Sequence, residues 1–454
     1  MRKFVKYSLP FVLALPLFVV AAEPPKDSPK LSDERMQWWL DARFGMFIHW
    51  GTYSLAGRHE WVKCNEHISD EAYQQYFDHF DPDLYNPREW ARVAKQAGMR
   101  YFVITTKHHE GFCLWDSKFT DYKVTNTPYG KDLIKPMVEA FRAEGLHVGF
   151  YYSLLDWHHP DYRFDRHHPM WNNEQAREQG KKRDMNRYVD YMENQLRELL
   201  TQYGPIECLF LDFSWEGAEG KNRKDWQSER LLKVIRELQP NCLVNDRLDL
   251  LDRPDGWDFR TPEQVMPESW VTMDGLRVPW ETCQTFIGSW GYYRDEMSWK
   301  SPQQLIVMLI ETVSKGGNLL LNVGPTGRGT FDDRAIERLT AMGDWMRLHS
   351  RSIYGCTAAP AEFPRPDNCL LTYNPKTKRL YVHILTWPMN VLHLNGLKDK
   401  VAYAQLLNDG SEVRFSNNQG AWMADQQNTS GSITLQLPVH QPNTVVPVVE
   451  LFLK

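Results

Sequence analysis

One pattern constrains this chain more than any other: along its first 325 residues, short apolar strand-like runs alternate with helical patterns that stop on glycine. The runs fall at residues 44–50, 101–107, 147–154, 208–213 and 243–246, and with weaker boundaries at 265–272, 285–291 and 318–323. Helical periodicity occupies 86–97, 133–144 and 185–203, each followed directly by a glycine (Gly98, Gly145, Gly204), and also 226–238 and 302–315. A glycine just past a helix takes the left-handed conformation without steric penalty, which makes it a sound stop signal. Strands alternating with helices imply a parallel sheet, and eight such units imply closure into a barrel. Between residues 247 and 291 the strands come with little helix between them. The expectation is therefore an α/β chain with an irregular (β/α)8-like TIM barrel.

The pattern changes after Pro360. Short alternating runs at 369–373, 379–386, 401–407, 432–437 and 445–453 are separated by turn chemistry such as Asn374-Pro375-Lys376 and Asn408-Asp409-Gly410. They predict a C-terminal β-sandwich of about 90 residues, a usual domain size, with packing support of the barrel as its expected role. At the other end, Arg2, Lys3 and Lys6 precede an apolar stretch at 9–20 and the small residues Val20-Ala21-Ala22. That is the layout of a secretory signal peptide cleaved before Glu23. The expected division is thus a leader at 1–22, a barrel at 23–355 and a sandwich at 360–454, with a loose, polar arm from Glu23 to about Asp33.

No later run reaches the roughly 18 apolar residues of a membrane span, so the mature chain is expected to be exported, periplasmic or secreted, without membrane contact. No cysteine lies near the cleavage site to take a lipid anchor. The seven cysteines (Cys64, Cys113, Cys208, Cys242, Cys283, Cys356, Cys369) are odd in number and scattered, with no CxxC. A disulfide framework is not expected, which leaves room for one bridge at most. A net charge of −5 offers no basic face for nucleic acid, and none is expected as a partner.

In a barrel of this kind the chemistry sits at the C-terminal ends of the strands. Those ends carry His49-Trp50, then Lys107-His108-His109-Glu110, Tyr151-Tyr152-Ser153, Asp212 and Asn245-Asp246-Arg247. A purely structural barrel has no need of such costly groups on one rim. Asp212 emerges from the dry run Cys208-Leu209-Phe210-Leu211, which suits a nucleophile or general base with Arg247 as its ionic partner; a helix cap or a structural ion pair is the plainer alternative. His49, His108 and His109 could bind sugar hydroxyls, hold a metal or be core histidines. Adjacent strand residues face opposite ways, so His108 and His109 share a pocket only if the strand has already broken. No HExxH or zinc-type Cys/His spacing is present, so no metal is expected. His158, His159, His167 and His168, in a polar loop, are expected at the surface. Glu60-Trp61 suits a sugar, one residue binding a hydroxyl and the other covering a ring face, and Trp290 suits an apolar wall; either Trp could equally be core.

These segments resemble glycoside hydrolase family 29, the α-L-fucosidases. The likeness rests on Trp39, Phe44 to Gly51, Glu60-Trp61, Ala94 to Met99 and Thr105 to Phe112. It continues through Gly149 to Ser153, Val244 to Arg247, Trp280 to Cys283 and Ser314 to Pro325. So many ordered segments, spanning about residues 35–350, are far more specific than any lone motif. The resemblance implies an exo-acting, retaining α-L-fucosidase that needs no cofactor, with a fucosylated oligosaccharide or glycoconjugate as its substrate. It implies Asp212 as nucleophile and places His49, Glu60, Trp61, His108, His109, Tyr151 and Arg247 around the sugar, to which the apolar-wall reading adds Trp290. One departure is local: Phe210 stands where the family often has a tryptophan. The acid/base varies in position within the family; Glu263 is the first choice, Glu281 the second and Glu268 the third. A retaining barrel glycosidase for another sugar, or a sugar-binding protein without catalysis, are the competing readings. Linkage preference and oligomeric state are not written in the sequence.

Overall fold

The computed structural model describes residues 25–214, 220–417 and 431–454, so the leader expected at 1–22 lies outside the described residues. Seven parallel strands form one curled sheet: β1 Phe44–Ile48, β2 Tyr101–Lys107, β3 His147–Ser153, β4 Cys208–Asp212, β5 Leu243–Val244, β6 Glu281–Thr285 and β7 Asn318–Val323. Their order is β5-β4-β3-β2-β1-β7-β6. Helices α1 Pro87–Gln96, α2 Ile134–Ala143, α3 Met185–Gln202, α4 Ser228–Leu238 and α5 Pro302–Ser314 follow the expected positions, and α6 Asp333–His349 is an addition that periodicity alone had not marked.

The two sheet edges, β5 and β6, meet through an irregular segment rather than a regular strand. Asn245 bridges Phe259, Arg260 bridges Trp280, and Glu263 bridges Cys283, all in parallel sense. This segment takes the sixth place in the barrel. The run expected at 265–272 does not: its end, Thr272–Met273, pairs with Leu276–Arg277 in a small separate sheet. The run expected at 285–291 begins too late, because the strand is Glu281–Thr285. All five of its residues are buried, yet four are polar, so a search for apolar runs slides past them onto Phe286-Ile287.

The period of two along each strand sorts side chains between two cores. Phe44, Met46 and Ile48 of β1 face the helices, as do Phe102 and Ile104, Val148 and Phe150, Leu209 and Leu211, and Leu319 and Leu321. Phe47, Tyr101, Val103, Tyr151, Cys208, Phe210 and Leu320 fill the lumen instead. Gly45 is required there, since a Cβ would overlap the Tyr101 ring, and Gly149 would likewise overlap Cys208 Sγ. The short helix Gln37–Ala42 plugs the lower mouth, with Trp39 against Phe259 at 4.9 Å between ring centroids. Continuing the lumen register upward past Phe47, Phe210 and Leu320 brings His49, Asp212 and Asn322 to point inward at the upper rim.

The C-terminal region is antiparallel. Strands β8 Cys369–Asn374, β9 Arg379–Ile384, β11 Val401–Leu406 and β14 Val448–Leu453 form one sheet together with Thr357–Ala358. β10 Val391–Leu394, β12 Arg414–Ser416 and β13 Ile433–Gln436 form a second. Leu371, Leu380, Val382, Leu435 and Leu451 lie in the core between them. The outer face of the larger sheet shares the barrel's core through Leu370, Tyr381 and Val448, and Thr372 Oγ1 donates to the Ser352 carbonyl at 2.7 Å.

Two further expectations are corrected. The arm before Asp33 is docked, not loose: Lys26–Asp27 pairs with Leu276–Arg277, and Lys30 Nζ donates to the carbonyls of Pro254 and Trp257 at 2.6 and 2.5 Å. Its polar composition reads as loose only because its partners lie more than 220 residues away. The histidine loop is not simply exposed either. His168 is buried, with its ring 3.4 Å from that of Phe164, and His158 stacks on Tyr122 at 4.0 Å. All seven cysteines are free thiols.

Candidate active site

The upper end of the lumen opens into a small cavity of about 50 Å³. Its polar lining is His49, His108, His109, Tyr151, Asp212 and Glu263; its aromatic lining is Phe47, Trp61, Phe210, Phe213 and Trp290.

Asp212 ends β4. One of its oxygens, Oδ2, accepts the Tyr151 hydroxyl at 2.7 Å, and the other, Oδ1, accepts Arg247 Nη1 at 2.9 Å. The same guanidinium donates from Nη2 to Glu263 Oε2 at 2.9 Å and from Nε to Thr261 Oγ1 at 3.1 Å. One planar fork therefore holds both carboxylates, which a lysine could not do. Asn245 fixes the backbone just before Asp212: its side-chain amide accepts from Leu211 N at 3.0 Å and donates to Leu211 O at 2.9 Å. A side chain thus completes the ladder where β5 has stopped.

The electrostatics follow from this enclosure. Burial, then the Asp212 charge, push the Tyr151 phenol well up, so it stays a donor. Burial pulls Arg247 down, but Asp212 and Glu263 outweigh it and the pKa rises. Glu263 is raised, first by burial, against the pull of Arg247 and with the push of Asp212. Its side chain is 43 % exposed at the cavity mouth, so water moderates that shift.

The strand does break where it must. β2 ends at Lys107, and Gly111 N closes a turn onto the His108 carbonyl at 3.0 Å, with Gly111 at φ 85°. Both histidines consequently line one cavity. His109 Nδ1 lies 2.7 Å from Ser153 Oγ, whose own proton goes to Leu155 O at 2.8 Å; the imidazole must be the donor. His49 Nδ1 lies 2.6 Å from Asn322 Oδ1, and Asn322 Nδ2 donates to Trp290 O at 2.6 Å, so His49 donates too. Burial holds both imidazoles well below the usual range. Neutral rings with their protons on Nδ1 present bare Nε2 acceptors; that of His109 is 3.8 Å from Asp212 Oδ2.

Glu60 stands apart from the other candidates. It is buried, and its Oε2 accepts from Ser289 Oγ, Trp290 N and Gly291 N at 2.8, 2.9 and 2.9 Å. It anchors the loop that sets Trp290 beside His49, 5.0 Å between centroids, and is not itself part of the cavity lining. Trp61 is part of the lining, and its ring meets the edges of His109 and Trp157 at 5.0 and 5.2 Å. Ser153 was noted from sequence only as a strand end, and Asn322 and Phe213 were not singled out. The first two stand at strand ends, where the rule that selected Tyr151 and Asp212 also reaches them. Among the described residues no group of three or more His, Cys, Asp or Glu side chains converges as a metal site.

A family model described as alpha-L-fucosidase matches residues 21–351, well over half of the chain. The chain belongs to the α-L-fucosidase family. Its fold superposes on α-L-fucosidase isoenzyme 1 from Paenibacillus thiaminolyticus with a TM-score of 0.86 and 43% identity, covering 94% of this chain and 100% of that one. A GH29 α-L-fucosidase from Bacteroides thetaiotaomicron, trapped as a covalent intermediate with 2-fluoro-fucosyl fluoride, superposes with a TM-score of 0.79 at 28% identity, covering 97% and 100%. The human tissue α-L-fucosidase is 30% identical over 421 residues, 85% of each chain.

Within this α-L-fucosidase the three acid/base candidates separate by position. Glu263 shares the cavity with Asp212. Glu281 begins β6 at the opposite, lower end of the barrel, where it is buried and accepts the Tyr101 hydroxyl. Burial pushes its pKa up to about 8. Glu268 is exposed on the excursion after Gln264 and lines no part of the cavity.

Proposed function

We propose that in this retaining, exo-acting α-L-fucosidase Asp212 is the nucleophile and Glu263 the acid/base of the double displacement. Asp212 attacks the anomeric carbon while the Glu263 carboxylic acid gives its proton to the departing oxygen. The resulting fucosyl ester is then opened by a water whose proton Glu263, now a carboxylate, removes. The observation that carries this reading is the single Arg247 guanidinium spanning both carboxylates. That shared partner keeps the two carboxylates on one side of the cavity, as a retaining pair requires, for which the separation is about 5–5.5 Å against about 6.5–9.5 Å in inverting enzymes. The upward shift of Glu263 suits a group that must start the cycle protonated. The covalent intermediate trapped in the Bacteroides thetaiotaomicron relative supports the same chemistry.

Fucose carries a methyl group where most hexoses carry a hydroxymethyl. The aromatic floor of Phe47, Phe210 and Trp290 suits that methyl, while the Nε2 atoms of His49 and His109 suit hydroxyl donors. The N-terminal pattern supports export with cleavage before Glu23, to the periplasm or the medium; the mass of the mature protein tests this.

The deciding experiment is hydrolysis of an aryl α-L-fucoside followed by proton NMR, with aryl α-galactoside as control. The α anomer of fucose is expected as the first product, and Asp212→Asn is expected to lose about 10⁴-fold or more in kcat. A β anomer formed first would overturn retention. An Asp212→Asn enzyme of near-normal rate would overturn the nucleophile.

A further inference from the structure

The mechanism leaves one buried cluster unused. Glu110, which follows His108 and His109 in the turn, is 1% exposed, and neither carboxylate oxygen has a hydrogen-bond partner among the described residues. His108 Nδ1, 3.4 Å from Glu110 Oε2, is buried and unpartnered as well, and so is the Tyr53 hydroxyl. No lysine or arginine among the described residues forms an ion pair with Glu110; His108 is its ionisable partner. A carboxylate taken out of water is costly unless paired, so a plain packing role does not account for it.

We propose that Glu110 is a positioning residue that holds the proton on His108 Nδ1 and turns the bare Nε2 of that ring into the sugar cavity. The inference rests on the reading that the cavity binds fucose. A carboxylate can only accept, so a ring edge facing it keeps its proton. The opposite edge belongs to a ring that lines the cavity. His49 and His109 carry the same device with other acceptors, Asn322 Oδ1 and Ser153 Oγ. Three imidazoles then present three acceptors to a sugar with neighbouring hydroxyls, each tautomer fixed from behind.

The surroundings are built for that carboxylate. Gly51 sits where a Cβ would overlap Glu110 Oε1 and the Tyr53 ring, so this glycine serves close approach. The phenols of Tyr53, Tyr73 and Tyr122 are pushed well up, first by burial and then by the Glu110 charge. They remain neutral beside it.

The test is Glu110→Gln, which keeps the size but offers an amide donor that also accommodates the other tautomer. In wild-type enzyme labelled with ¹⁵N-histidine, His108 should show a protonated Nδ1 and an unprotonated Nε2; the variant should show a mixture. KM for the aryl fucoside should rise about tenfold with kcat within about threefold, the signature of lost ground-state binding. Gly51→Ala, which crowds the carboxylate from outside, should move KM in the same direction. A wild-type His108 with its proton on Nε2 overturns the proposal even if no variant folds. So does a folded Glu110→Gln enzyme with unchanged KM and unchanged His108 resonances. Wild-type enzyme with no fucoside turnover would instead sink the fucosidase reading and leave the tautomer measurement standing.

Discussion

The two arcs of the barrel solve the same problem by different means. From β1 to β4 paired strands aim His49, Tyr151 and Asp212 by their places in a ladder, pointing inward as Phe47 and Phe210 do, while His108 and His109 come from the turn where β2 has stopped. From Asn245 to Glu263 the ladder is reduced to single bridges, and side chains take over the work of the backbone. Asn245 replaces the missing pairing beside Leu211, and Arg247 ties Glu263 to Asp212. The lesson is one of stiffness. Asp212, the proposed nucleophile, needs a fixed line of attack and sits on the rigid arc. Glu263, the proposed acid/base, would serve both halves of the cycle and sits on the adaptable one, partly exposed to water.

Among changes to the link between the arcs, breaking the fork should have the largest effect. Arg247→Met is expected to lower kcat/KM about 10³-fold, roughly 4 kcal/mol of transition-state stabilisation, and Arg247→Lys should recover little because a point charge cannot hold two carboxylates in plane. A lysine variant of near-normal activity would show that the arcs are not coupled through this residue. Next comes Glu263→Gln, with a loss of about 10²–10³-fold on a fucoside with a poor leaving group and a smaller one on an activated aryl fucoside. The sign of the pH effect follows from the raised pKa of Glu263: the acid must be protonated, so kcat/KM falls as pH rises through that value. The variant should lose this alkaline limb, and a limb that persists would assign it to another group.

A third substitution probes the seam between the arcs. Asn245→Ala should cost about tenfold in kcat, since loosening the backbone before Asp212 misplaces the attacking oxygen, and should lower Tm. Unchanged kcat with lowered Tm would make the amide a stabilising feature alone. The smallest catalytic effect is expected far from the cavity. Glu281→Gln should stay within about twofold of wild type in activity while changing how stability depends on pH. With a folded pKa of about 8 against an unfolded 4.5, the folded state binds the extra proton between those values, so wild-type stability falls as pH rises through that window. The glutamine variant should show a shallower fall in Tm from pH 5 to 8; parallel curves would refute the buried, protonated state.

The regular arc was legible because burial on both faces writes continuous apolar runs, and because glycines stop the helices between them. The run at 281–285 was not. Glu281, Thr282, Gln284 and Thr285 are buried polar residues whose partners, such as Tyr101 for Glu281, come from elsewhere in the chain, so local hydrophobicity carries no trace of the strand. The arm around Lys30 and the ring of His168 were misjudged for the same reason. Glu60 suggested a sugar ligand by its neighbour Trp61, yet three donors from residues 289–291 occupy one of its oxygens. A contact of that kind is invisible at 229 residues of separation.

What the sequence determined by itself is the alternation along each strand, and hence that His49, Tyr151 and Asp212 stand on one rim. That follows from a period of two and needs no partner. Only the tertiary structure decided that Arg247 reaches both Asp212 and Glu263, that Glu281 lies at the wrong end of the barrel, and that the segment around Phe259 and Glu263 closes the sheet. Those outcomes depend on how far the strands curl before their edges meet, and curvature is a sum over the whole sheet that no local run of residues encodes.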